Sequence, residues 1–230
     1  RNVDAHTFIE KTTGRTFTSS YRRGKYLFGK MDNEQHVLFH FGMTGDLRYY
    51  EDEMDKPKYE RFVFSFANGY KLGFDCPRKF ARILLIEDLQ QYISEVKLGE
   101  DALVISEKDF LAKMEGRKST IKGFLLNQKI LAGVGNLYAD EICYQTKIHP
   151  ASVVNALSKR HKKAIYKAMK DILQTAVDRT AYYKDYPDDW FFQWREEGKK
   201  APKGKGVAKS AKIAGRTTFF FEGYQKLYNQ

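Results

Sequence analysis

Leu126-Asn127-Gln128-Lys129-Ile130-Leu131-Ala132-Gly133-Val134-Gly135-Asn136-Leu137-Tyr138-Ala139-Asp140-Glu141, closing at Ile148-His149-Pro150, reads as a helix, a glycine-punctuated turn and a second helix. Gly133 and Gly135 carry no Cβ and tolerate positive φ, so the backbone is free to turn sharply and to approach a ligand closely. Asn136 stands where an N-cap belongs, and there its amide and the free N–H groups of the new helix would converge on an anion. Taken alone, the run also fits an ordinary helical corner whose glycines only make the bend. The charge of the chain and the motifs around the run favour the phosphate-holding reading.

The chain has 230 residues, with 40 Lys and Arg against 29 Asp and Glu, a formal net charge of +11. Such an excess favours a polyanionic partner, nucleic acid before an anionic membrane surface. No stretch is long and apolar enough to span a bilayer, and no secretory signal or lipidation motif is visible. An intracellular protein of the cytoplasm or nucleoid, or of a eukaryotic nucleus, is therefore expected. Cys76 and Cys143 are far apart in sequence and offer neither a disulfide framework nor metal-ligand spacing.

From Phe17 to Ile86 the chain reads as strands. Segments 26–30, 36–41, 47–50, 61–66 and 70–74 are short, rich in aromatic and β-branched residues, and separated by turn chemistry such as Asp32-Asn33 and Asn68-Gly69. That pattern predicts an antiparallel β-sandwich. After Ser106, whose spacing to Asp109 fits a capping box, the period turns helical. Ser119 is expected to cap a helix over 120–127, Asn136 one over 137–146, and Ser158 a long amphipathic helix reaching about Thr180. The last segment opens with Trp190-Phe191-Phe192-Gln193-Trp194 and ends as a hairpin. The lysines and glycines of 199–212 read as a solvated loop, either merely wet or adding a sequence-independent attraction to phosphate. The fold class is thus α+β: a β-sandwich domain over 1–100, a helical domain over 101–189 and a β-hairpin segment over 190–230.

Five runs carry a resemblance, in order along nearly the whole chain: Arg22-Arg23-Gly24-Lys25-Tyr26-Leu27, His40-Phe41-Gly42-Met43-Thr44-Gly45-Asp46-Leu47-Arg48, Asp75-Cys76-Pro77-Arg78-Lys79-Phe80, the 126–141 run, and Gly215-Arg216-Thr217-Thr218-Phe219-Phe220. Together they resemble the formamidopyrimidine-DNA glycosylase and endonuclease VIII family, whose helix-two-turn-helix enzymes remove oxidised bases from DNA. The resemblance implies a base-excision repair glycosylase with AP-lyase chemistry. It also implies double-stranded DNA containing damaged bases or abasic sites as partner, no cofactor, and a monomer.

Roles follow residue by residue from that resemblance. Removing a stacked base requires flipping it out, which costs about a few kcal/mol, and the hole must then be filled. Met43, Arg78 and Phe80 match the family's void-filling residues, with Lys79 among the DNA contacts. Met suits an irregular gap, Arg can bond the orphaned base and Phe can wedge a step. Singly, Met43 or Phe80 would also pass for core. A large apolar residue in the glycine-flanked run Gly42-Met43-Thr44-Gly45, however, suits an exposed tip. Lys25, at the start of a strand, is either a solvated strand-end lysine or the family lysine that contacts phosphate and assists the lyase steps. Gly133, Gly135 and Asn136 in the turn and Arg216 in the hairpin would grip phosphates flanking the flipped nucleotide. The histidines are read as structural, with His149 shaping the turn before Pro150.

Three features depart from the commonest family pattern. Most relatives close with a four-cysteine zinc finger; the four ligand positions fall here on Ala201, Gly204, Phe221 and Tyr224, none of which binds zinc. A zincless finger without metal is implied, held by packing of Phe219, Phe220, Phe221 and Tyr224. The connection over 182–189 is short and resembles the endonuclease VIII side, leaving oxidised pyrimidines, formamidopyrimidines and oxidised guanine all open. Finally, the family nucleophile is the amine of an N-terminal proline followed by glutamate. Arg1 to Gly14 resembles a segment some tens of residues into a typical member, so that nucleophile is expected upstream of Arg1. The alternative is a catalytically silent relative that binds damaged, abasic or distorted DNA. A basic RNA-binding protein would leave Met43, Arg78 and Phe80 unexplained together.

Overall fold

Short strands rich in aromatic and aliphatic residues build two antiparallel sheets. The computed structural model describes residues 2–200 and 206–229. They fall into two compact units, Arg1–Val96 and Lys97–Gln230. In the first, a short helix α1 (Ala5–Thr12), capped by Asp4 accepting from the Thr7 N–H at 2.9 Å, precedes seven strands. These are β1 (Phe17–Arg23), β2 (Tyr26–Met31), β3 (His36–His40), β4 (Asp46–Tyr50), β5 (Glu60–Ser65), β6 (Lys71–Asp75) and β7 (Arg82–Ile86). One sheet has the order β1-β2-β3-β7 and the other β4-β6-β5, all neighbours antiparallel.

Strand β3 shows why its central residues, Val37, Leu38 and Phe39, are all apolar. Val37 and Phe39 join Met31, Leu85 and Phe8 in one core, against Phe62 and Phe64 of the second sheet. Leu38, pointing the other way, joins Phe28 and Ile86 under Tyr92 of helix α2 (Leu89–Glu95). A strand covered on both faces loses the polar alternation that a half-exposed strand such as β5 keeps.

The second unit begins with β8 (Glu100–Asp101), then α3 (Glu107–Met114), α4 (Ile121–Leu126), β9 (Leu131–Ala132), α5 (Asn136–Gln145) and α6 (Lys159–Asp178), and ends in the hairpin of β10 (Ala208–Ile213) and β11 (Arg216–Phe221). Helix α6 buries Ile165, Met169, Ile172, Leu173 and Ala176, the spacing of one apolar face at 3.6 residues per turn, against Phe110, Phe124 and Ile142. Ser158 caps it, as expected, accepting from the His161 N–H at 3.3 Å, and Ser106 caps α3 through the Asp109 N–H at 3.1 Å. Among the described residues, no helix is long and apolar enough to cross a membrane.

Several expectations shift. Thr120 caps α4, accepting from the Gly123 N–H at 3.1 Å, one residue after the expected Ser119. Both hydroxyls suit the role, and it is Thr120, in extended backbone, that stands immediately before the first helical residue. Much of the Lys- and Gly-rich 199–212 segment is not loop: β10 pairs with β11 from Ala208 to Ile213, and the Ala208 N–H donates to the Lys199 carbonyl at 2.8 Å. Of the four finger positions, Ala201 and Gly204 lie outside the described residues. Phe221 is fully buried, its ring 4.9 Å from Phe191 and 5.7 Å from Tyr144, and Tyr224 lies 5.4 Å from Tyr144.

Candidate nucleic-acid interface

In the first unit, three loops leave the same end of the four-stranded sheet. Leu27 pairs with Phe39 and His40 with Arg82, so the start of β2, the end of β3 and the start of β7 stand side by side. The turn Gly24-Lys25, the loop 41–45 and the loop 76–81 all spring from that end. Lys25 belongs to the tight two-residue turn rather than to a strand start. Gly24 at φ +59° supplies the left-handed residue such a turn needs, and Lys25 is exposed there.

Met43 and Phe80 are the exposed apolar tips of the other two loops, at 71% and 59% exposure. Neither is core. Their loops abut: Gly42 sits at φ +64°, and a Cβ on it would lie 2.9 Å from the Phe80 carbonyl carbon. Arg78 places its guanidinium 5.3 Å from the Phe80 ring centroid, and Lys79 holds a positive φ of 55°, rare for a non-glycine residue and a mark of a constrained loop. His40 adds a contact that sequence reasoning left out. Its Nδ1 accepts from the Gly42 N–H at 3.3 Å, and burial, then Arg82, then Lys25, push its pKa below the ordinary histidine value. The neutral ring is therefore the form that holds the Met43 loop.

In the second unit, the turn between α4 and α5 is braced by Gln128, a residue the sequence reading passed over. Its Nε2 donates to the Leu126 and Val134 carbonyls, each at 3.0 Å, while its Oε1 accepts from the Gly133 N–H at 3.0 Å. Gly133 has φ +120° and needs to be glycine. Gly135 is an ordinary extended residue, φ −100° and ψ 170°, and it, not Asn136, is the N-cap. The helix starts one residue early because glycine is itself an acceptable N-cap. No side chain caps this end and no acidic residue occupies its first turn, so the N–H groups and the positive end of the helix dipole stay available to an anion.

Asn136, at the first helical position, donates through Nδ2 to the Thr217 carbonyl at 3.0 Å, on β11 beside Arg216. Its amide thus ties turn to hairpin instead of lying free. Arg216 is exposed and follows the Ala214-Gly215 turn, whose two residues have φ of +51° and +73°. Beneath lies a buried ionic cluster with no motif signature: Lys122 of α4, Asp140 of α5 and Arg195. Burial lowers the Lys122 pKa, with Asp140 pulling the other way. The structure thus gathers Lys25, Met43, Arg78, Lys79 and Phe80 on one unit and Gly133, Gly135, Asn136 and Arg216 on the other.

A profile of the formamidopyrimidine-DNA glycosylase N-terminal domain matches residues 1–83, and one of that enzyme's H2TH domain matches 98–185. A formamidopyrimidine-DNA glycosylase of Protochlamydia amoebophila is 31% identical over 77% of this chain and 67% of its own length. The chain belongs to the formamidopyrimidine-DNA glycosylase family. A relative of that name from Arabidopsis thaliana is 32% identical over 97% of this chain, and the chain spans 61% of that relative's length. The Lactococcus lactis formamidopyrimidine-DNA glycosylase, solved non-covalently bound to DNA containing an AP site, superposes with a TM-score of 0.83 at 26% identity, covering 96% of this chain and 86% of that one. These family likenesses fall on the formamidopyrimidine-DNA glycosylase side, whereas the short 182–189 connection pointed toward endonuclease VIII. In that connection Tyr186 is buried and shares a 2.6 Å hydroxyl hydrogen bond with Tyr138, while 182–185 and 188–189 are exposed.

Proposed function

We propose that this chain serves base-excision DNA repair as a glycosylase and AP lyase, acting on formamidopyrimidine and related oxidised bases in duplex DNA. The observation that carries the reading is the pair of abutting loops with Met43 and Phe80 exposed at their tips and Arg78 over the Phe80 ring. Exposed side chains of this kind fill the gap left by a flipped base, while the uncapped N-terminus of α5, Asn136 and Arg216 hold the backbone through phosphate. The relatives' names supply the substrate class, and a genomic location, in cytoplasm, nucleoid or nucleus, goes with it.

In the chemistry proposed, an amine attacks C1′ of the damaged nucleotide and the base departs with its bonding pair. The amine then loses its proton and the C1′–O4′ bond breaks, O4′ taking up a proton, which leaves the Schiff base; this acidifies the 2′ proton, so the 3′ and then the 5′ phosphate leave by β,δ-elimination. An α-amine, ordinarily titrating near about 8, is a far better nucleophile at neutral pH than a lysine near about 10. By resemblance the attacking amine is an N-terminal proline, and Lys25 contacts phosphate and assists the elimination steps.

The native gene product, incubated with a duplex holding one abasic site and then borohydride, is expected to give a covalent adduct. Without reductant it is expected to nick the strand, and Lys25→Ala to slow the nick more than the adduct. A protein that binds the abasic duplex tightly yet neither traps nor nicks it is a silent binder, and the enzyme reading is then wrong.

A further inference from the structure

Lys122 has no exposed side-chain surface, and a buried ammonium is costly unless its donors are met. Here they are met largely by the hairpin. Its Nζ donates to Asp140 Oδ1 at 2.5 Å, to Thr218 Oγ1 at 2.7 Å and to the Thr217 carbonyl at 3.4 Å. Asp140 Oδ2 accepts from Arg195 at 2.8 Å and from the Phe219 N–H at 3.3 Å. Asn136, one helical turn before Asp140 on α5, donates to the same Thr217 carbonyl. Three consecutive residues of β11, beginning immediately after Arg216, are therefore held by directional bonds from α4 and α5.

Attachment alone does not require this arrangement. Phe221 and Ala208 already dock the hairpin through apolar packing with Tyr144 and Phe191. Apolar packing is non-directional and tolerates small slips, whereas a satisfied polar network selects one register. We propose that Lys122 and Asp140 are positioning residues that lock the hairpin in register on α5, so that Arg216 and Asn136 act as a single phosphate site instead of two independent ones. The inference rests on the phosphate role proposed above for Asn136 and Arg216.

A double-mutant cycle on an abasic-site duplex at fixed salt separates the two ideas. In the otherwise unaltered protein, Asn136→Ala and Arg216→Ala should each weaken binding, and together they should weaken it less than the product of the single effects by at least about twofold, as coupled residues do. The cycle is then repeated in a Lys122→Met/Asp140→Asn background, where the amide oxygen introduced at position 140 can still accept from Arg195 and the Phe219 N–H. There the melting transition should persist, affinity should fall about fivefold or more, and the two sites should become independent within the usual error of additivity. Thr218→Val, which at constant shape removes the hydroxyl that accepts from Lys122 and donates to the Arg216 carbonyl at 3.0 Å, carries the same comparison if the double variant does not fold. Coupling that survives in a folded network variant, or its absence in the starting protein, overturns the positioning role while leaving the phosphate assignments standing. Single variants that bind as tightly as the starting protein overturn the phosphate assignments, and the positioning role falls with them.

Discussion

Gly42 concentrates the argument at the scale of single residues. Its positive φ and the 2.9 Å separation from the Phe80 backbone that a Cβ would have leave no room for a side chain. Gly42→Ala should push the Met43 and Phe80 loops apart, lowering affinity for an abasic duplex about tenfold, roughly 1.4 kcal/mol, with affinity for intact duplex unchanged. Equal losses on both duplexes would show that the loops do not read the lesion. At this scale the sequence disclosed the chemistry better than the geometry. Met43 was legible as a tip because glycines flank it, whereas Phe80, with no glycine beside it, passed for core and was placed with Met43 only by the family resemblance. Asn136 was misplaced by one residue because glycine and asparagine both serve as N-caps, and nothing local distinguishes them. Gln128 and His40 were invisible, since a side chain bonded to backbone across a turn leaves no periodic trace.

At the scale of elements, periodicity did most of the work. The long helix α6 followed from spacing, strands β2 to β6 from aromatic and β-branched composition between turn residues, and Ser158 and Ser106 from cap chemistry. Strand β10 was missed because Ala-Lys-Ser-Ala-Lys-Ile has little intrinsic β preference and is a strand through its pairing with β11. Two predictions belong here. Glu141 on α5 is buried, accepting from Gln145 Nε2 at 2.7 Å and the Phe192 N–H at 3.3 Å, and burial outweighs both bonds to raise its pKa from 4.5 to about 7. A raised carboxyl favours the fold fully below pH 4.5, and that contribution is lost as pH climbs to about 7, by up to about 3 kcal/mol at about 1.4 kcal/mol per pKa unit. Denaturant titrations should show stability falling across that window, and Glu141→Gln should flatten the fall; identical slopes would refute the assignment. The second concerns the hairpin, whose Phe221 and Tyr224 pack against Tyr144 at two of the positions that the resemblance aligns with zinc ligands. Elemental analysis should find no stoichiometric zinc, and a chelator should leave the Tm unchanged. One zinc per chain would contradict the aromatic account.

For the whole molecule, the net charge of +11 announced a polyanion and the ordered motifs announced the family, but neither could disclose the buried Lys122, Asp140 and Arg195 cluster. A charged residue in a sequence looks solvated until tertiary structure surrounds it. The most direct measurement is equilibrium binding to two duplexes identical except for one stable abasic-site analogue, across a range of salt. The protein should prefer the abasic duplex by about tenfold or more. Met43→Ala/Phe80→Ala should abolish that preference without changing the slope of log K against log salt, while Arg216→Ala should reduce the slope by about 0.9 and keep the preference. Equal affinity of the unaltered protein for both duplexes would contradict the account at its centre.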